Sequence, residues 1–236
     1  MKIFSGKFEK LRKIQLFFGK KANPSFNLMS INFVCGLDAS YSDKYIYAVA
    51  SVFRFKDLVP VESSLYKTSI DFPYIPGFLS FREGKALLKA ISKLKLKPDV
   101  LIVDGHGLAH PRSAGIATYV GVITGIPSLG CAKSILIGEF RPPEKVRGFF
   151  TPIYFKERII GLALVTKNDT KPLFVSPGYK IDIHSSMDIV LKCSRGYRTP
   201  EPLRLAHMLS KKFRDLDKNL DSGSRLPSLL QSSPSF

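Results

Sequence analysis

The run DVLIVDG, which carries Asp104 at its end, constrains the fold more than any other part of the chain. It is a short apolar stretch without polar interruption, the pattern of a strand covered on both faces. Such a strand needs helices above and below its sheet, so the chain is α/β. The same strand delivers a carboxylate to its own tip. In LIVDGHGLAHPR, Gly105 and Gly107 then flank His106, His110 follows, and Arg112 closes the segment. In open α/β sheets, sites form at strand tips. A carboxylate followed by glycine-loosened backbone and two imidazoles is the architecture of a metal-dependent hydrolytic site.

The surrounding pattern supplies the rest of the sheet. INFVCGLDASY, YIYAVASVFRF and LVPVESSLYKTSI read as three strands in an antiparallel meander. DFPYIPGFLS is a loop rich in proline and aromatics. FREGKALLKAISKL places Ala86, Leu87, Ala90, Ile91 and Leu94 on one helical face. After the Asp104 strand come a small-residue helix in SAGIATYVGVITG, a short strand in IPSLGCAKS, two strands in RGFFTPIYFKERIIGLALVTK and one in KPLFVSPGYKI. SSMDIVLKCSR and TPEPLRLAHMLSKKFRDLDKN read as helices, the second with Thr199 as N-cap and Pro200 in its first turn. This order predicts a mixed sheet flanked by helices, as in ribonuclease H-like domains, rather than a purely parallel one. Three regions follow: a basic N-terminal extension (1–29), a catalytic domain (30–220) and a Ser/Pro-rich tail (221–236) expected to be disordered. The extension reads either as a helix laid on the body through Phe8, Leu11, Ile14 or Gln15, and Phe18, or as a partly ordered arm.

Charge narrows the partner. The 36 Lys+Arg outnumber the 19 Asp+Glu, giving +17 over 236 residues, and nucleic acid is the commonest polyanion that explains such an excess. Lys10, Arg12, Lys13, Lys20 and Lys21 are candidates for phosphate contact, with Arg141, Lys145, Arg147, Arg195, Arg198, Lys211 and Lys212. No apolar run is long enough to span a bilayer, and the charged N-terminus lacks the form of a signal peptide. Cys35, Cys131 and Cys193 form no CxxC pair, which suits a reducing, cytoplasmic setting.

Two further acids accompany Asp104. Asp38 ends FVCGLD, and Glu83 sits early in the FREG helix, expected in its first turn. Alone, Asp38 reads equally as a turn cap and Glu83 as a dipole-favoured acid. Together in a basic chain, the three carboxylates are what a Mg²⁺ site at a phosphodiester requires. His110 could ligate metal, contact phosphate or act as an acid, and Lys133 could reach a phosphate or orient the nucleophile.

From Cys35 to about Leu209 the chain resembles the endonuclease V family. The resemblance rests on GLDASY, PYIPGFLSFREG, VDGHGLAHPR with AGIATYVGV, IPSLGCAKS and RTPEPLRLAH, in that order and spacing. It implies a ribonuclease H-like fold and Mg²⁺ (or Mn²⁺) as cofactor. It implies cutting of DNA at deaminated bases, chiefly deoxyinosine, at the second phosphodiester bond on the 3′ side, leaving 3′-hydroxyl and 5′-phosphate ends. Asp38, Glu83 and Asp104 match the family's catalytic, metal-binding acids, His110 its site histidine and Lys133 its site lysine. Tyr74 matches the aromatic of a wedge that separates the strands, with Pro73, Ile75 and Pro76 around it. Backbone at Gly77, Gly105 and Gly107 would line the pocket for a flipped base, and His207 matches a polar residue near the metals. Inosine-containing RNA is a second candidate substrate, and a monomer is the default assembly. Two other functions fit the same residues: a different ribonuclease H-like nuclease, such as a junction resolvase, and a non-catalytic nucleic-acid-binding module.

Overall fold

Strand β4, Val100–Val103, lies inside a mixed eight-stranded sheet of order β3-β2-β1-β4-β5-β8-β7-β6. The computed structural model describes residues 2–24 and 31–221. Its remaining strands are β1 (Phe33–Tyr41), β2 (Tyr45–Arg54), β3 (Val59–Ser69), β5 (Ser128–Ala132), β6 (Phe150–Phe155), β7 (Arg158–Leu164) and β8 (Leu173–Tyr179). The helices are α1 (Lys2–Lys20), α2 (Leu79–Ser92), α3 (Ile116–Thr124), α4 (Ile183–Cys193) and α5 (Glu201–Asp221). The expected tail lies outside the described residues apart from Asp221, which ends α5.

The antiparallel meander β1–β2–β3 forms as the alternation predicts. Only β1, β4 and β5 run parallel, and β8, β7 and β6 complete the sheet antiparallel. This is the ribonuclease H-like arrangement read from the element order. The apolar run of β4 is buried from both sides. Leu101 and Val103 pack with Cys35 and Leu37 of β1 against Ala86, Leu87, Ala90 and Ile91 of α2 and Ile116 and Val120 of α3. Val100 and Ile102 face the opposite way, with Val34, against Ile189, Val190 and Cys193 of α4 and Leu203 of α5. Each fully buried Leu or Ile contributes about 1.5–3 kcal/mol. All three cysteines are buried and unpaired.

Helix starts differ slightly from the sequence pattern. Helix α5 begins at Glu201, with the Pro200 carbonyl accepting from the Arg204 amide, so Pro200 rather than Thr199 stands just before the helix. Glu83 is the fifth residue of α2, not part of its first turn, because the helix already begins at Leu79. It therefore lies on the inward stripe with Ser80, Ala86 and Leu87.

The basic extension is a helix laid on the body, the first of its two readings. Phe18 of α1 meets Tyr119 of α3, Phe8 meets Phe78, and Ala22 beyond the helix is buried and accepts from the Lys180 amide.

On the opposite face, α5 crosses β1 at Gly36. A Cβ there would stand 2.2 Å from the Pro202 carbonyl carbon and oxygen. Because that contact is backbone, neither partner can rotate away. Gly36→Ala is expected to destabilise the fold by about 1–3 kcal/mol, the usual cost of overpacking, read as a lower urea midpoint. A wild-type midpoint would mean that α5 can shift without cost.

Candidate active site

The parallel pairing of β1 and β4 places two carboxylates side by side. Their register runs from Val34↔Val100 to Leu37↔Val103, and the Asp104 amide then donates to the Leu37 carbonyl at 3.0 Å. Asp38 and Asp104 therefore stand side by side, Asp104 at the tip of β4 and Asp38 within β1, which does not end at FVCGLD but runs on to Tyr41 because Asp38 and the three residues after it still pair with β2. Glu83 approaches from α2 on the other face and is buried. Burial raises the Asp38 carboxyl, and the Asp104 charge raises it further, against the lowering effect of His207. Burial likewise pushes Glu83 well above the usual carboxylate range, with the Asp38 and Asp104 charges adding to it. The three acids resist being ionised together.

An ammonium and an imidazole answer them. Lys133, just after β5, places Nζ 2.6 Å from Asp104 Oδ2. Burial alone would lower the Lys133 ammonium, but the charge and hydrogen bond of Asp104 and the charge of Asp38 leave it raised. His207, on α5, donates from Nδ1 to Asp38 Oδ2 at 2.7 Å. Among the described residues, no three His, Cys, Asp or Glu side chains form a ready-made cage for an ion. The donor chemistry nevertheless fits a hard divalent cation. It offers carboxylate oxygens only, one at the tip of β4, one buried beside it on β1 and one behind them on α2, and their mutual repulsion is what such an ion relieves.

A cavity of about 340 Å³ opens beside Asp104. It is lined by Tyr74, Ile75, Pro76, Gly77 and Leu79 on one side, Gly105, His106 and Ile116 below, and Lys133 to Leu136 opposite. Tyr74 is 66% exposed at its rim. Of the residues expected to meet substrate, Tyr74, Ile75, Pro76, Gly77 and Gly105 therefore share one cavity with Asp104, His110 and Lys133. Pro73, Gly107 and His207 are not in its lining. Gly107 is instead packed into the body: its amide donates to Ser176 Oγ at 2.9 Å, and a Cβ would meet the Pro177 carbonyl. His207 sits on the acid side, against Asp38.

Sequence reasoning passed over His106 as a site residue. Its ring lines the cavity, and burial lowers its imidazole to about 4, so it is neutral. Its place between the two glycines of DGHG was the available signal. His110 is also neutral, lowered by burial to about 4. Three of the expected phosphate contacts are spent on the fold. Arg147 donates to the Thr166 and Leu191 carbonyls, Arg198 to those of Lys171 and Pro172, and Arg195 to that of Asp57.

Known proteins share this sequence pattern and fold. The family model for Endonuclease V matches residues 19–208. The chain belongs to the Endonuclease V family. It is thus a nuclease, a hydrolase of phosphodiester bonds, in a family of metal-dependent enzymes. It is 46% identical over 206 residues to Endonuclease V of Dictyoglomus turgidum, covering 87% of this chain and 90% of that protein. Its fold superposes on the Endonuclease V crystal structure from Streptomyces avermitilis with TM-score 0.85 and 31% identity, covering 89% of this chain and 94% of that one. It also matches a Ciona intestinalis Endonuclease V variant in complex with a 23mer DNA containing an inosine followed by a ribo-adenosine. There the TM-score is 0.78 at 26% identity, with 89% and 98% of the two chains covered. Among the described residues, no helix is long and apolar enough to cross a membrane.

The raised Glu83 carboxyl makes stability depend on pH. The folded chain keeps this proton where the unfolded chain has released it. The contribution is therefore whole below the unfolded value, about 4.3, and is lost as pH rises through the folded value. Glu83→Gln removes that loss. In EDTA at neutral pH the variant is expected to gain about 1–2 kcal/mol in urea unfolding while losing nuclease activity, and the gain should fade near about pH 4. A variant no more stable than wild type at neutral pH would show that Glu83 is not strained by ionisation.

Proposed function

We propose that this endonuclease cuts DNA at deaminated bases, chiefly deoxyinosine, at the second phosphodiester bond on the 3′ side, with Mg²⁺ or Mn²⁺, leaving 3′-hydroxyl and 5′-phosphate ends. The observation that carries the reading is the base-sized cavity directly beside Asp104, with an exposed tyrosine on its rim. An enzyme that reads a base inside a duplex must extrude it, at a cost of a few kcal/mol. Tyr74 can fill the gap left in the stack, on a loop stiffened by Pro73 and Pro76. Ile75, Leu79 and Ile116 offer apolar walls to the displaced base, and backbone groups at Gly77 and Gly105 can read its edge. Hypoxanthine differs from adenine by a 6-oxo group and an N1 proton, and from guanine by the missing 2-amino group, differences suited to a tight backbone-lined pocket.

Asp38 and Asp104 would hold the metal, with Glu83 behind them. A bound divalent cation lowers the pKa of water, polarises the phosphoryl oxygen and steadies the leaving oxygen. His207 keeps the Asp38 carboxylate oriented. Lys133 can pair with Asp104 or turn to the scissile phosphate, since its side chain is 46% exposed. One observation favours RNA as a second substrate: in the Ciona complex a ribonucleotide follows the inosine.

The deciding experiment is nicking of end-labelled duplex carrying one deoxyinosine, with Mg²⁺ or EDTA. A metal-dependent nick one nucleotide beyond the inosine is expected, and Asp104→Asn should abolish it while sparing DNA binding. Tyr74→Ala should weaken inosine binding by about ten-fold, within the 1–3 kcal/mol that stacking on an aromatic contributes, without changing the Mg²⁺ requirement. Cutting of inosine RNA alone would move the substrate class. Silence on both would leave a different nuclease of this fold.

A further inference from the structure

Helix α1 reaches the catalytic body through one buried side chain. Gln15 is 2% exposed, although it is polar and lies on a basic helix. Its Nε2 donates to the Gly77 carbonyl oxygen at 2.9 Å, and its Oε1 accepts from Arg112 Nε at 2.5 Å. Arg112 Nη2 donates to that same Gly77 oxygen at 2.9 Å. His110 Nε2 also stands 2.9 Å from it. A carbonyl oxygen can only accept, so His110 carries its hydrogen on Nε2. Its Nδ1 in turn accepts from the amides of Arg112 and Ala114, at 3.2 and 3.4 Å. Three donors, one from α1 and two from the loop after β4, thus converge on one oxygen with two lone pairs.

That oxygen belongs to the loop that lines the cavity. Gly77 has φ +78°, the left-handed region where a side chain is strained, so the turn is built around a glycine here. The residue after it, Phe78, is gripped from the same side. The Phe8 ring of α1 meets it edge-on at 5.6 Å, and the Arg112 guanidinium lies 4.8 Å over its ring.

We propose that Gln15 is a positioning residue for base recognition: with Arg112 and His110 it clamps the Gly77 carbonyl and so holds the Tyr74–Gly77 wedge in register with the cavity. The proposal rests on the reading of this site as a deaminated-base endonuclease and deepens it. It makes α1 part of the recognition machinery, although the helix carries none of the acids. It also gives His110 a different task from the one its place in the motif implies. Both of its ring nitrogens are committed to protein groups, so it braces the loop. A loop that must intrude into a base stack binds well only if it is held in place beforehand, because ordering it on binding costs affinity.

The test compares wild type with Gln15→Glu and Gln15→Leu. Gln15→Glu keeps the acceptor for Arg112 but sets a carboxylate oxygen against the Gly77 oxygen. Gln15→Leu keeps the volume and removes both bonds. Two readouts are taken well below the Tm of every variant: amide hydrogen exchange of the metal-free protein by peptide, and single-turnover cutting of deoxyinosine duplex against enzyme concentration. In both variants, peptides covering 71–79 are expected to exchange about ten-fold faster while β1 and β4 keep wild-type protection. The enzyme concentration for half-maximal cutting should rise about ten-fold, with the maximal rate changed by less than about two-fold. Wild-type protection over 71–79, or faster exchange spread evenly into β1 and β4, overturns the clamp. An unchanged half-saturation overturns its role in recognition. A wild-type enzyme that ignored inosine would instead overturn the functional reading, and the exchange experiment would still decide whether Gln15 holds the loop.

Discussion

Two carboxylates side by side on neighbouring strands organise this molecule. The β1–β4 register leaves no freedom in the matter: once Leu37 pairs with Val103, Asp38 and Asp104 emerge together. The surrounding elements are arranged around that repulsion. Lys133 comes from the end of β5 to Asp104, and His207 comes from α5 to Asp38. Helix α5 can bring His207 so close because Gly36, one turn of the pleat before Asp38, lets its backbone touch the strand. Glu83 arrives on the other face from the inward stripe of α2, where an apolar side chain would otherwise sit. A core that buries a carboxylate beside two others gives up stability for a site that binds cations.

Charge works here at two ranges. The chain as a whole carries +17, yet its centre is a cluster of acids. The long-range field attracts a polyanion and speeds its arrival, and weakens as salt rises. The local field does the reverse, and it repels a phosphate until the acids are neutralised. That contrast makes the site dependent on a cation at the moment of chemistry, with Lys133 already in place. Not all of the positive charge is as free to touch a phosphate directly. Arg147, Arg195 and Arg198 spend their guanidinium groups on backbone carbonyls of neighbouring loops.

Much of this was legible in the sequence because it follows from periodicity. The unbroken run of β4, the alternation of β1 to β3 and the spacing of Ala86, Leu87, Ala90 and Ile91 each have one structural solution. Asp104 was legible for a related reason, since a strand tip is a position that a pattern defines, whereas Asp38 was expected to end its strand and stands inside β1 because that strand continues to pair with β2. What stayed hidden depends on where backbone groups find partners. Gly107 looked like pocket lining by its place in DGHG, but its amide is claimed by Ser176. Arg147 and Arg198 looked like free charges, because nothing in their neighbours reveals the carbonyls they meet across the fold. Glu83 was placed too near its helix start, because Ser80 is the residue type that commonly caps a helix three residues before a glutamate, whereas α2 already begins at Leu79 and has no side-chain cap. Gln15 was visible only as one of two alternatives on a helical face, and its partner lies 62 residues away.

The wedge and the acids are mechanically one piece. Tyr74, Gly77, Leu79 and Glu83 follow one another through a tight loop into α2, whose first turn is tied to that loop by the Phe78 amide on the Ile75 carbonyl and the Phe81 amide on the Phe78 carbonyl. Fixing the Gly77 carbonyl therefore fixes the approach of Tyr74 relative to Glu83, which α2 holds on its own inward stripe. A base seated in the cavity would then stand at a set distance from Asp38 and Asp104. The proposed cut at a fixed offset from a recognised base requires such a rigid connection, because a wedge free to slide against the acids would select the base but not the bond. Pro73 and Pro76 stiffen the loop along its length, and the donors from α1 and from the Asp104 loop hold it across its width.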